Sequence, residues 1–162
     1  MTVDQIPASR NVSLRVKLGC DLAAVRPMTA MIRTFLHEQQ ATAEEIQSAE
    51  LAIVEASNNA IKYAPGDRKC KEIEVEVGCG AEQLEVRVRD NTNGFDLPQH
   101  LQLPEGDAES GRGLFLIHSL MDRVNYYRGC GENVLVMSRH RNGAARVERS
   151  HADAQRRLDD SG

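Results

Sequence analysis

The apolar residues between Asn11 and Val88 change their period twice, and that switch leaves the chain very few folds to choose from. Val12, Leu14, Val16 and Leu18 alternate with polar neighbours, the period of two that marks a strand with one buried face. Leu22, Val25, Met28, Ile32, Phe35 and Leu36 then recur at helical spacing. This predicts a helix from Asp21 to about Gln39, with Pro27 tolerated because it falls near the first turns. Thr42 followed by Glu45 makes a capping box, in which each side chain satisfies a backbone N–H left unpaired by the first helical turn. A second helix starts there; its core face reads Ile46, Ala49, Ile53 and Ala60, and Pro65-Gly66 ends it. The period returns to two over Lys71 to Val77 and Gln83 to Val88, which predicts a β-hairpin turning through Gly78 to Ala81.

From Asp90 to Gly113 the pattern dissolves into Asn, Gly, Pro, Asp and Glu, a loop of a length that compact domains keep mainly for binding. A short helix follows from about Gly113 to Met121, then two strands, Val124 to Tyr127 and Asn133 to Ser138, joined through Gly129-Cys130-Gly131. The order implies an α+β fold, a two-layer α/β sandwich with helices on one face of a mixed, mostly antiparallel sheet. Residues 1–10 read as a flexible lead-in, 11–140 as one domain and 141–162 as a charged, disordered tail.

A formal charge of −4 gives no broad positive field to gather phosphate backbone, so direct nucleic-acid binding lacks its usual source. No stretch approaches the ~20 apolar residues of a membrane helix, and MTVDQIPASR lacks the apolar core of a signal peptide. The expectation is a cytoplasmic protein with no membrane association. Cys20, Cys70, Cys79 and Cys130 stand far apart without a C-x-x-C pair, which reads as reduced, mostly structural thiols rather than a zinc site; a Cys70–Cys79 cross-link is the alternative that a cytosolic setting disfavours.

Three segments carry candidate chemistry. On the second helix, Glu55, Asn59, Lys62 and Tyr63 fall three to four residues apart and share a face. That stripe offers an oxygen ligand for a hard cation, a cation for phosphate and a carboxylate for a proton, although most helices carry a polar face. At a strand end, Asp90 enters a turn-rich run containing Gly94, where a carboxylate can accept a hydrogen bond from an exocyclic amine. In GRGLFLI, Gly111 and Gly113 precede an apolar helix, so backbone N–H groups and the helix dipole can meet phosphate. Each segment alone is weak; their order and context are much harder to obtain by accident.

In that order the chain resembles the GHKL (Bergerat) ATPase superfamily, with Glu55-x-x-x-Asn59 as its N box, Asp90-x-x-x-Gly94 as its G1 box and Gly111-x-Gly113-Leu114 as its G2 box. The resemblance covers about Val12 to Arg139 and is strongest to the bacterial anti-sigma-factor serine/threonine kinases. It implies ATP and Mg²⁺ as cofactors, Glu55 as general base and Asn59 as metal ligand. It further implies Asp90 as reader of the adenine amine, and Gly94, Gly111, Arg112, Gly113 and Leu114 around ribose and phosphates. Thr92 stands where the G1 box usually has its first Gly, so the turn must tolerate a β-carbon or change shape. Asn133 stands where many relatives have a Thr beside the base.

NNAIKYAP also resembles the N box of sensor histidine kinases, which gives Lys62 a phosphate and Tyr63 a place near the base. Only about 50 residues, starting with a strand, precede Glu55, too few for the acceptor-His hairpin of that class. The resemblance implies a STAS-like anti-sigma-factor antagonist as substrate and a sigma factor or equivalent regulator as the sequestered partner. Arg26 resembles a position that relatives use to grip partners, and the resemblance implies that a homodimer could form through the sheet. The competing reading is a nucleotide-gated or inactive binding module that sequesters a regulator without phosphorylating it.

Overall fold

The computed structural model describes residues 2–8, 11–62, 72–92, 94, 112–129 and 131–141, with side chains described from residue 12 onward. Six strands, β1 (Thr2–Ala8), β2 (Asn11–Leu18), β3 (Ile73–Cys79), β4 (Gln83–Asp90), β5 (Arg123–Arg128) and β6 (Asn133–His140), form one sheet in the order β1-β2-β3-β4-β6-β5. Three helices, α1 (Leu22–Glu38), α2 (Ala43–Lys62) and α3 (Arg112–Leu120), supply the second layer. The α+β two-layer expectation holds. Among the described residues every strand pairing is antiparallel, so the described sheet is not mixed: α1 and α2 form a hairpin between β2 and β3, and none of the described strands runs parallel to its neighbour.

The stretch expected as a flexible lead-in is in fact β1, paired antiparallel with β2 from Thr2↔Lys17 to Ala8↔Asn11. Its sequence carries Pro7, which removes a ladder donor and suits an edge strand, the position β1 occupies. The expected tail beyond residue 141 lies outside the described residues.

The core lies where the period-two strands meet the period-3.6 helices. Burial alternates strictly along β3 and along β4, placing Ile73, Val75, Val77, Leu84, Val86 and Val88 on the helix-facing side. Met28, Ile32 and Leu36 of α1 and Ile53 of α2 are fully covered by them. The opposite face of the sheet is charged, with Arg15 and Arg89 both paired to Glu74 and Glu76. One face is thus dry and the other wetted, as an antiparallel sheet permits.

The helix termini are built from local chemistry. Asp21 caps α1, its carboxylate accepting from Ala23 N at 2.9 Å. At α2 the capping box forms as expected: Thr42 N donates to Glu45 Oε2 at 2.8 Å and Glu45 N to Thr42 Oγ1 at 3.2 Å. Glu45 is only 2% exposed and also faces the Arg141 guanidinium at 3.5 Å. Arg141 in turn donates to Gly80 O and Gln39 O, so one ion pair ties the end of β6 to α1, α2 and the β3–β4 turn. Glu45→Ala leaves that guanidinium buried without its carboxylate and is expected to cost about 3 kcal/mol of stability. Urea unfolding checks this, since a loss below about 1 kcal/mol is the size expected for an exposed pair.

Cys79 is a buried free thiol, its pKa raised chiefly by desolvation. Cys20 is disulfide-bonded, which corrects the expectation of four reduced thiols. Spacing along the chain does not report which cysteines meet in space. No helix among the described residues is long and apolar enough to cross a membrane.

Candidate functional site

α2 lies against the sheet through Ala49, Ala52, Ile53, Ala56 and Ala60, and this contact decides where its polar stripe points. Glu55 and Asn59 stand one turn apart at the margin of the buried face, neither fully covered nor in open solvent. α3 packs on α2 at this level. A Cβ built on Gly113 would stand 2.6 Å from Glu55 Oε2 and 3.6 Å from Asn59 Nδ2. The glycine therefore does steric work: only a residue without a side chain lets the α3 N-terminus approach the carboxylate so closely. The first-turn N–H groups of α3 are brought beside Glu55 and Asn59, where they favour an anionic group.

The other end of the site is built on Asp90, the last residue of β4, which is 8% exposed. Asp90 Oδ1 accepts from Thr92 N at 2.9 Å, Thr92 Oγ1 at 2.6 Å and Asn133 Nδ2 at 3.0 Å. Those three donors fix the carboxylate by one oxygen, and Oδ2 takes none of them. Asn133 Nδ2 also donates to Thr92 O at 2.9 Å, so β6 holds the turn that follows β4. Thr92 fits this turn without strain, because Gln40 is the one non-glycine with positive φ among the described residues. Its β-carbon is accommodated and its hydroxyl, accepting from Gly94 N at 3.2 Å, becomes part of the turn. Gly94 has φ 72°, and a Cβ there would meet Tyr126 OH at 2.8 Å, Asn133 Oδ1 at 2.9 Å and Arg128 Nε at 3.1 Å.

The two ends meet in a cavity lined by Ala56, Asn59, Ala60, Val88, Asp90, Thr92, Tyr126 and Leu135, with a volume of about 10 Å³. Its lining joins a buried carboxylate and an amide to apolar side chains, around the space of about one water. A much larger open depression of about 620 Å³, around Ser13, Glu76, Gly78, Glu85 and Arg87, lies on the charged face of the sheet and shares none of these residues.

Of the residues singled out in the sequence, Glu55, Asn59 and Gly113 meet at one end, and Asp90, Gly94 and Asn133 at the other, with Asn59 reaching both. Lys62 and Arg112 are exposed at the end of α2 and the start of α3. Leu114 packs against the core cluster. Arg26 is exposed on α1, one turn after Leu22, which is 60% exposed. Tyr63 and Gly111 lie outside the described residues. Sequence reading missed Tyr126, Val88 and Leu135 as cavity walls, and treated Ala60 only as core. The pair Ala56 and Ala60 flanking Asn59 was the available signal, since small residues at i and i+4 leave room beneath a helix.

A family model described as the histidine kinase-like ATPase domain matches residues 19–139. Serine-protein kinase RsbW of Bacillus velezensis is 32% identical over 111 residues, covering 63% of this chain and 69% of that protein. The namesake from Listeria innocua is 39% identical over 103 residues, covering 57% of this chain and 65% of its own length. The chain thus spans about two thirds of the length of these relatives. Among solved structures, the RsbU and RsbW domains of a Mycobacterium tuberculosis protein superpose with a TM-score of 0.59 at 18% identity, covering 80% of this chain and 32% of that one. That likeness concerns the fold. The matched region contains every element that builds the cavity, and the chain belongs to the histidine kinase-like ATPase domain family, in the branch that holds the RsbW serine-protein kinases.

Proposed function

We propose that the protein is an ATP-dependent protein serine/threonine kinase that phosphorylates a small STAS-like antagonist and, in its other state, sequesters a sigma factor or an equivalent regulator. The observation that carries this reading is the meeting of the three sequence boxes: Gly113 against Glu55 and Asn59, and Asn59 in one cavity with Asp90.

In this reading Asp90 Oδ2 accepts a hydrogen bond from the exocyclic amine of adenine, while the Thr92 and Asn133 donors keep Oδ1 in place. The cavity's apolar walls hold the base, with Tyr63 near it. Gly94, Gly111 and Gly113 let backbone N–H groups approach the ribose and phosphates, assisted by the cationic Lys62 and Arg112, and Leu114 anchors the start of α3 to the core. Glu55 takes the proton of the attacking serine hydroxyl as its oxygen bonds to the γ-phosphorus and ADP departs. The side-chain oxygen of Asn59 is a hard donor suited to Mg²⁺. When bound, that ion would be held through Asn59 and would supply positive charge against the phosphates.

Arg26 and Leu22 on the exposed face of α1 serve as a partner contact, homodimerisation accompanies the cycle, and the protein works in the cytoplasm, where ATP is made available to it. The non-phosphorylating module drew its support from Thr92. Supporting the kinase reading, Thr92 N and Oγ1 donate to Asp90 Oδ1 and leave that carboxylate at the cavity.

The test is incubation with γ-labelled ATP and the STAS-like antagonist from the same genome. Phosphate on the antagonist that is stable to acid and released by base is the expected result. Acid-labile phosphate would point to a histidine acceptor, and no transfer with intact nucleotide binding would favour the sequestering module.

A further inference from the structure

Asn133 opens β6 directly opposite Asp90, the residue that ends β4, and is only 3% exposed. A primary amide carries two donor hydrogens and one acceptor oxygen. Nδ2 donates to Asp90 Oδ1 at 3.0 Å and to Thr92 O at 2.9 Å, which uses both hydrogens within the protein. Turned over, the amide would set its oxygen against a carboxylate and a carbonyl, acceptor against acceptor, so its orientation is fixed. Its oxygen lies on the side of the Gly94 turn, 2.9 Å from where a Cβ there would stand.

The other two donors to Asp90 Oδ1 come from Thr92, two residues along the same chain, and they travel with the strand end that carries the carboxylate. The Asn133 bond differs in kind. It crosses from β6, a strand paired on both sides with β4 and β5, and joins residues 43 apart in sequence. One amide thus holds both the carboxylate and the carbonyl of the turn beyond it against the same strand. A hydroxyl in this place has one hydrogen and could serve only one of those acceptors. With no hydrogen to spare, Asn133 does not donate to a ring nitrogen of a base.

We infer that Asn133 is a positioning residue of the base site: it sets the Asp90 carboxylate so that Oδ2 meets the base amine, and does so without donating to the nucleotide itself. The inference rests on the ATP reading above and names the side chain on which recognition of the amine depends. Without Asn133, Oδ1 loses its cross-strand donor and the carboxylate is free to rotate. The loss falls on the hydrogen bond to the amine and leaves the ribose and phosphate contacts as they were.

Calorimetric titration of the wild-type protein and Asn133→Ala with Mg-ATP and with Mg-purine riboside triphosphate, which lacks the 6-amine, tests this. The wild type is expected to prefer ATP by at least about tenfold, the effect of a hydrogen bond to a charged group. Asn133→Ala is expected to weaken ATP by about tenfold while the amine-free analogue changes by less than about twofold. Narrowing of the preference by about threefold or more supports the inference. A smaller narrowing, with both nucleotides weakened alike or neither weakened, is what a merely structural Asn133 gives and overturns it while the ATP reading stands. A wild type that takes both nucleotides equally overturns it as well, and one that binds neither overturns the ATP reading too. If Asn133→Ala fails to fold by circular dichroism, Asn133→Val, which suits a strand and carries no donor, is held to the same criterion.

Discussion

Glu55→Gln is expected to lower phosphoryl transfer to the antagonist by about 10²- to 10⁴-fold, the usual contribution of a positioned general base. Affinity for Mg-ATP should change by less than about threefold, because in the proposed function the base is read at Asp90 and the carboxylate acts only on the incoming hydroxyl. Glutamine has the shape of glutamate and can sit beside Gly113 as Glu55 does. The loss would therefore report the missing proton acceptor rather than a disturbed helix. Single-turnover transfer measured alongside calorimetry separates the two effects. Transfer at the wild-type rate would remove Glu55 from the chemistry.

Gly113→Ala is expected to give a protein that folds as well as the wild type and transfers phosphate at least about 100-fold more slowly. Alanine suits a helix better than glycine by about 1 kcal/mol, so the melting temperature should hold or rise. Yet its methyl would stand 2.6 Å from Glu55 Oε2, closer than two such atoms can approach. Glu55 must swing away or α3 must back off, and either movement separates the carboxylate from the first turn of α3. A stable variant with wild-type transfer would show that this approach is not what positions Glu55. A variant that simply unfolds would show that Gly113 serves packing.

The parts of the fold legible in the sequence are those whose contacts are local. The capping box at Thr42 and Glu45 was readable because its partners lie three residues apart, and both hydrogen bonds are present. The alternation in β3 and β4 was readable because each side chain's face follows from the backbone pleat. β1 escaped notice because an edge strand interrupted by Pro7 has little alternation to show. The shape of the Thr92 turn was left open because its hydrogen-bond partner on β6, Asn133, is 41 residues away.

Residue by residue, the sequence determined the element types, the caps and the order in which a carboxylate–amide stripe, an acidic strand end and a glycine-led helix succeed one another. Tertiary structure decided that these three face each other. Inserting β6 between β4 and β5 puts Asn133 on Asp90, and packing α3 on α2 puts Gly113 on Glu55. It also decided that Tyr126 and Leu135 line one cavity with Ala56, Asn59 and Asp90. The physical reason is one of range. Backbone geometry writes a period of two or 3.6 into neighbouring residues, whereas the meeting of Glu55 with Gly113 depends on which apolar faces pack together, and no short window of sequence contains both partners.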